Sequence, residues 1–199
     1  MGYSMEQLKD LREKTGAGIS DCKNALEETK GDMTEAIKVL RMKGLATAAK
    51  KAGRTAKEGL IGYYIHDNNK IGVMIEIRCE SDFVAKTPQL QGLAKDLAMQ
   101  IAAMSPRFVK IEDVSAEVIE SEKAIYREQL KDEKKPAAVL DKIIEGKVNK
   151  FFEDTVLLEQ TFVKDNSQKV KDLLGAVVAA LAENIQIHRF VRFQVGEEA

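Results

Sequence analysis

Ile61-Gly62-Tyr63-Tyr64-Ile65-His66-Asp67-Asn68-Asn69-Lys70-Ile71-Gly72-Val73-Met74-Ile75-Glu76-Ile77-Arg78-Cys79 changes the period of the chain. Before it, apolar side chains recur every three or four positions; here they recur every two, the period of a strand whose successive side chains point to opposite faces. Ile61, Tyr63 and Ile65 alternate, Asp67-Asn68-Asn69 supplies turn residues, and Ile71, Val73, Ile75, Ile77 and Cys79 alternate again with Met74, Glu76 and Arg78 between them. The stretch predicts an antiparallel hairpin with one buried face. Near the other end of the chain Ile185, Ile187, Val191, Phe193 and Val195 alternate, with Arg189 interrupting the face. This third strand is expected to join the hairpin, so that the end of the chain completes the sheet.

Working outward, residues 1 to about 54 read as short helices. Ser4 with Gln7 three positions on has the spacing of a capping box, and Met5, Leu8 and Leu11 mark one helical face. Thr15-Gly16-Ala17-Gly18 stops that helix. Ser20 is placed as the cap of a second, which carries Cys22, Ala25 and Leu26 and ends at Lys30-Gly31. Asp32 with Glu35 opens a third, striped by Met33, Ala36, Ile37 and Leu40. The three form a small bundle over residues 1–44. Between Arg41 and Glu58 six basic residues stand against one acidic, the strongest local basic patch, and 45–58 reads as a basic helical linker. Beyond the hairpin, Thr87-Pro88 starts a helix with Thr as cap and Pro in first position, held by Leu90, Leu93, Ala94, Leu97, Ala98 and Ile101 and ended by Ser105-Pro106. Ser115 to Lys131 and Pro136 to Phe152 form a helical hairpin about the turn Asp132-Glu133-Lys134-Lys135-Pro136. A last helix spans Val170 to Glu183. The fold class is α+β: a three-helix bundle followed, over 59–199, by a core with a three-stranded antiparallel sheet, packed helices and the helical hairpin.

The composition narrows the function classes. With 199 residues, 44% hydrophobic and 32% charged, the chain is globular. No apolar run approaches the ~20 residues that span a bilayer. The N-terminus, Met1 to Gln7, lacks the regions of a signal peptide, and the only cysteines, Cys22 and Cys79, fall in segments that read as buried; a reducing cytoplasm is expected. A net charge of −1 is not that of a chain living on a phosphate backbone. His66 and His188 are the only histidines, so no metal-ligand cluster is spaced along the chain. There is no G-x-x-x-x-G-K-[ST] loop and no G-x-S-x-G elbow, and Gly16-Ala17-Gly18 reads as a turn. No cofactor and no reaction centre of its own are expected.

One connection does not read as packing. Between the second strand and the Pro88 helix stands Glu80-Ser81-Asp82-Phe83-Val84-Ala85-Lys86. Either Phe83 folds back as a lid on the core while Asp82 caps a turn, or an exposed aromatic with an acidic neighbour inserts into a partner. Ile19 reads as a staple beneath the second helix, and His66 as a solvated turn residue. Three rivals remain open at this point: an RNA-binding adaptor using the Arg41–Lys57 patch, a ubiquitin-like-binding scaffold using the bundle alone, and an enzyme with a hidden site.

Leu11-Arg12-Glu13-Lys14-Thr15-Gly16-Ala17-Gly18, continuing to Asp21-Cys22-Lys23, resembles the N-terminal signature of the bacterial elongation factor Ts family, and Ser81-Asp82-Phe83-Val84-Ala85-Lys86 resembles its second. Lys50-Lys51-Ala52, Tyr64 to Gly72, Leu157 to Lys164 and Phe190 to Gly196 also match, so the resemblance covers nearly the whole chain and is of the short form, without the duplicated half-core of longer members. Ile19-Ser20 stands where the family often has two methionines, and Thr161 where proline is common. The resemblance implies a ubiquitin-associated-like bundle and guanine-nucleotide exchange on elongation factor Tu, in its GDP-bound and nucleotide-free states. It implies that Ser81, Asp82, Phe83 and Val84 disturb the magnesium site beside bound GDP, and that Arg12, Ile19, Ser20, Lys23, Lys51 and His66 touch the partner. A homodimer is expected, each copy supplying one half of the core, with apolar sheet surface left over in a monomer as the physical reason. No membrane and no direct nucleic-acid role are expected.

Overall fold

The computed structural model describes residues 3–131, 133 and 135–197; Met1 and Gly2, and Asp132 and Lys134 of the expected helical-hairpin turn, lie outside them. The chain is α+β. Its elements are, in order, α1 (Met5–Thr15), α2 (Ile19–Glu28), α3 (Met33–Lys51), β1 (Glu58–Ile65), β2 (Ile71–Cys79), α4 (Asp82–Ala85), α5 (Pro88–Met104), α6 (Ala116–Gln129), α7 (Ala137–Thr155), β3 (Thr161–Phe162), β4 (Asp165–Lys169), α8 (Val170–Leu181) and β5 (Gln186–Gln194). They form two compact units, Met1–Met99 with Lys171–Ala199, and Gln100–Val170. The boundaries expected at 44/45 and 58/59 both fall inside the first.

In the first unit, α1 opens on the expected capping box: the Ser4 hydroxyl accepts from the Gln7 N–H at 3.1 Å and the Gln7 side chain accepts from the Ser4 N–H at 2.8 Å, which is worth about 1 kcal/mol. Gly16, at φ 65, ends it. α2 departs from the reading. Its N-cap is Gly18, without a side-chain bond, and Ser20 sits within the first turn. The Asp32 carboxylate caps α3, accepting from Thr34 and Glu35. Leu8, Leu11, Cys22, Leu26, Ala36 and Leu40 make the bundle core. α3 then runs on past the bundle, so the basic stretch is helical as far as Lys51 and only the residues after it connect to the sheet. Along this extension α3 meets α8 at paired glycines: a Cβ on Gly44 would lie 3.1 Å from the Gly175 backbone, so any side chain there would push the helices apart.

The sheet has the order β1-β2-β5 with both pairings antiparallel, and the late strand joins the hairpin as expected. Val73, Ile75, Ile77 and Cys79 of β2 are buried. β1 corrects the reading. Ile61 pairs with Glu76, Tyr63 with Met74 and Ile65 with Gly72, which places the apolar alternation of β1 on the outward face, where Tyr63 is 72% exposed. Leu60, Gly62 and Tyr64 face inward instead. The reason is how closely α5 crosses: a Cβ on Gly62 would come within 2.7 Å of the Ala94 Cβ, so the position beneath the helix must be glycine. β5 corrects it again. Glu76 pairs with Arg189 but Ile77 with Ile187, leaving His188 as the extra residue of a β-bulge. The bulge reverses the phase. Ile187 points inward, whereas Val191 and Phe193, expected on the same face, point outward with Arg189 and are exposed. The outward face therefore carries Ile61, Tyr63, Ile65, Met74, Val191 and Phe193.

In the second unit, Val114, Phe151 and Val156 form a core with Phe108, Val118, Ile119 and Phe152 around the base of the α6–α7 hairpin. Gln100 is fully buried and fully satisfied: its amide donates to the Gln160 side chain and the Thr161 carbonyl, both at 3.1 Å, and accepts from the Val163 N–H at 2.8 Å. The small β3–β4 sheet escapes the sequence reading because its strands are short and largely polar. Among the described residues, no helix is long and apolar enough to cross a membrane, and no cluster of His, Cys, Asp and Glu could hold a metal ion.

Candidate functional site

The segment after β2 is built to hold a short helix against the sheet while turning one side chain outward. Cys79 is buried, and its thiol donates to the Ser81 carbonyl at 3.1 Å; burial, and then the charge of Glu183, push that thiol up from its ordinary pKa. Ser81 is extended, and its hydroxyl caps α4 by accepting from the Val84 N–H at 3.3 Å. Ala85 is the buried residue of α4, and Thr87 starts α5 as expected, its hydroxyl accepting from the Leu90 N–H at 3.2 Å. Phe83 lies away from the core, 81% exposed. The lid reading is therefore overturned: the ring covers nothing. Asp82 sits beside it, and Lys86 one turn on binds its carboxylate at 2.7 Å. The hydrogen bond from Lys86, and then its charge, hold the Asp82 carboxyl below the usual aspartate range, so it is ionised at neutral pH.

The connection is fixed from the α8–β5 turn. The Glu183 carboxylate accepts from the N–H groups of Glu80 and Ser81 at 3.1 and 3.0 Å, and from the Ser81 hydroxyl at 2.6 Å. Glu80 reaches the other way, accepting from the Asn184 N–H at 2.6 Å. The sequence reading missed this pair. It placed Glu183 inside the last helix, but α8 ends at Leu181 and Ala182 turns left-handed at φ 57. The available signal was the polar pair Glu183-Asn184 between apolar runs.

Arg12, in the last turn of α1, and Ile19, Ser20 and Lys23, in the first turns of α2, are all exposed and flank one turn. Ile19, 56% exposed, is not a staple. The turn abuts the start of α5, with the Gln89 amide 3.8 Å from where a Gly16 Cβ would stand, so this surface and the α4 segment lie near each other. Lys51 is engaged within the chain, donating to the Ala182 carbonyl at 2.7 Å, a cation on a helix C-terminus. His66 stands apart. It follows β1 at the hairpin turn, with its Nδ1 3.2 Å from the Tyr64 hydroxyl, whereas Phe83 lies beyond the opposite end of the paired strands, about 25 Å away along the strand rise.

The family model for elongation factor TS matches residues 3–197. The chain is 57% identical over 197 residues to elongation factor Ts of Fervidobacterium nodosum, covering 99% of this chain and all of the relative. It is 56% identical over 198 residues to that of Thermotoga neapolitana, covering the whole of both, and 54% identical over 197 residues to that of Citrifermentans bemidjiense, covering 99% of this chain and 91% of the relative. With both signatures placed on one unit, and relatives matched from end to end, the chain belongs to the elongation factor Ts family of bacterial translation factors.

Proposed function

We propose that this protein is a guanine-nucleotide exchange factor for elongation factor Tu, acting in the cytoplasm without covalent chemistry or a cofactor of its own. The observation that carries the reading is Phe83, a large apolar ring 81% exposed on a helical turn whose Ala85 is buried. Water gains nothing from such a residue; a partner's pocket does, because burying a Phe side chain contributes about 1.5–3 kcal/mol. On this reading Arg12, Ile19, Ser20 and Lys23 dock the bundle on the GTPase, with Lys51 and His66 as further contact positions, and the Ser81-Asp82-Phe83-Val84 segment enters beside the bound nucleotide. There GDP is held by Mg²⁺ and by backbone donors around its phosphates. A ring that parts the side chains near the metal weakens that hold without breaking a covalent bond.

The outward sheet face supports a homodimer. Six large side chains, Ile61, Tyr63, Ile65, Met74, Val191 and Phe193, stand together on one sheet face, and a second copy covers such a surface with the same surface.

The test is release of labelled GDP from elongation factor Tu. The chain is expected to accelerate release strongly, and linkage requires that GDP weaken binding of the chain by the same factor by which the chain weakens binding of GDP. No acceleration with an active cognate GTPase would overturn the proposal.

A further inference from the structure

We infer that Glu183 is a positioning residue for exchange, its carboxylate setting the direction in which Phe83 points. The inference rests on the exchange reading above and assigns to it a residue whose carboxylate is spent on bonds within the chain. Nothing packs on the Phe83 ring to hold it, since 81% of it faces solvent. Its direction therefore comes from its backbone. α4 has four residues, and its closing bonds, Ala85 N–H to the Ser81 carbonyl and Lys86 N–H to the Asp82 carbonyl, are both long at 3.3 Å. A single turn of helix does not hold itself together in water. Ala85 seats the turn, and the Thr87 N–H and hydroxyl hold its C-terminal end through the Val84 carbonyl at 3.0 and 2.8 Å; its N-terminal end, next to Phe83, is set by one carboxylate that takes both backbone N–H groups and the hydroxyl that in turn caps α4. These are charge-assisted bonds, about twice as strong as neutral ones.

Glu183 is itself held in place. Lys51 donates to the carbonyl of the residue before it at 2.7 Å. Asn184 after it is 2% exposed, gives its N–H to Glu80 and its side-chain amide to the Arg54 carbonyl at 2.6 Å. Arg54 stands 3.5 Å from the Glu80 carboxylate and offsets part of the negative charge gathered there. The two glutamates bridge reciprocally, each side chain binding the backbone of the other's turn. The end of α3, the segment before α4 and the α8–β5 turn thus meet in one junction, and the helix that continues the docking bundle ends on the anchor that aims the wedge.

The experiment is stopped-flow GDP release from elongation factor Tu across a range of factor concentrations, which separates maximal rate from half-saturation. Glu183→Ala is expected to lower the maximal rate about tenfold while moving half-saturation less than about twofold. Glu183→Gln, whose amide oxygen still accepts from Glu80 and Ser81, is expected to fall between it and the unsubstituted chain. In a Phe83→Ala background, Glu183→Ala is expected to add no further loss, because it acts through the ring. A Glu183→Ala chain that exchanges at the full rate overturns the inference, and so does a loss that simply adds to that of Phe83→Ala. If Glu183→Ala fails to fold, Glu183→Gln alone decides: a full maximal rate overturns the inference, and a lowered rate whose loss vanishes on Phe83→Ala supports it. If the unsubstituted chain fails to accelerate release, the exchange reading falls and this inference with it; unimpaired exchange by the variants removes the positioning role alone.

Discussion

Two of the places where the molecule leaves apolar side chains uncovered are built differently. On the outward sheet face, Ile61, Tyr63, Ile65, Met74, Val191 and Phe193 stand side by side on three strands, with β2 paired on both sides and β1 and β5 each paired to it. At α4 a single ring, Phe83, stands on one helical turn preceded by a segment that Glu183 binds. A broad flat surface gains free energy by area, at about 25 cal/mol per Å², and area is what a second copy provides. A single ring has little area to offer. Its value lies in where it is aimed, as with the aromatic anchors that dominate interfaces. On the proposed reading the first surface is expected to tolerate small shifts of any one side chain, and the second is not.

Breaking the broad face gives the largest expected effect. Met74 sits at its centre, between Tyr63 and Val191. Met74→Asp places a charge where the proposed second copy would bury it, and is expected to weaken self-association by about 100-fold or more. Sedimentation at micromolar concentration would then report the single-chain mass, while the melting curve of each chain keeps its cooperative form. Retention of the dimer mass would place the interface elsewhere.

A smaller effect sharpens the other side of the comparison by separating docking from aiming. Ile19→Ala removes an exposed apolar side chain from the bundle without touching α4. It is expected to raise half-saturation by about three- to fivefold and leave the maximal rate of GDP release unchanged. A drop in the maximal rate would mean that the two surfaces do not act separately.

The smallest effect concerns the polar end of the broad face. Glu76 lies between Arg78 and Arg189, 2.7 Å from each, and their hydrogen bonds hold its carboxyl below the usual glutamate range. A depressed carboxyl stabilises the fold at pH values above its unfolded pKa of about 4.3. That contribution is lost as pH falls through the lower, folded value. The melting temperature is therefore expected to drop slightly on acidification below about pH 4, and Glu76→Gln to remove part of that drop. An identical acid profile in the variant would show that the pairs contribute nothing.

The comparison also shows which parts of the structure can be read from sequence. Local chemistry was legible: Ser4, Asp32 and Thr87 cap the helices their spacing assigns to them, and the β2 alternation identifies the buried face of that strand. The faces of β1 and β5 were not legible, because distant partners decide them. Gly62 turns inward since α5 crosses at Ala94, and the bulge at His188 reverses the phase of the last strand. Either strand alone reads as an amphipathic repeat, and nothing in a repeat of two says which face is buried. The wedge motif stood out as an aromatic in a polar connection, but its exposure depends on what covers it. Its anchor, Glu183, lies about a hundred residues further along the chain and looked like the end of a helix.

The most direct test of the account is the maximal rate of GDP release from elongation factor Tu driven by Phe83→Ala. The ring contributes nothing to the core, so the variant is expected to melt within about 0.5 kcal/mol of the unsubstituted chain. It is also expected to self-associate and to reach half-saturation at a similar concentration, yet to release GDP roughly 10- to 100-fold more slowly at saturation. Release at the full rate by a folded, docked Phe83→Ala chain would contradict the account and leave the exposed ring without a function.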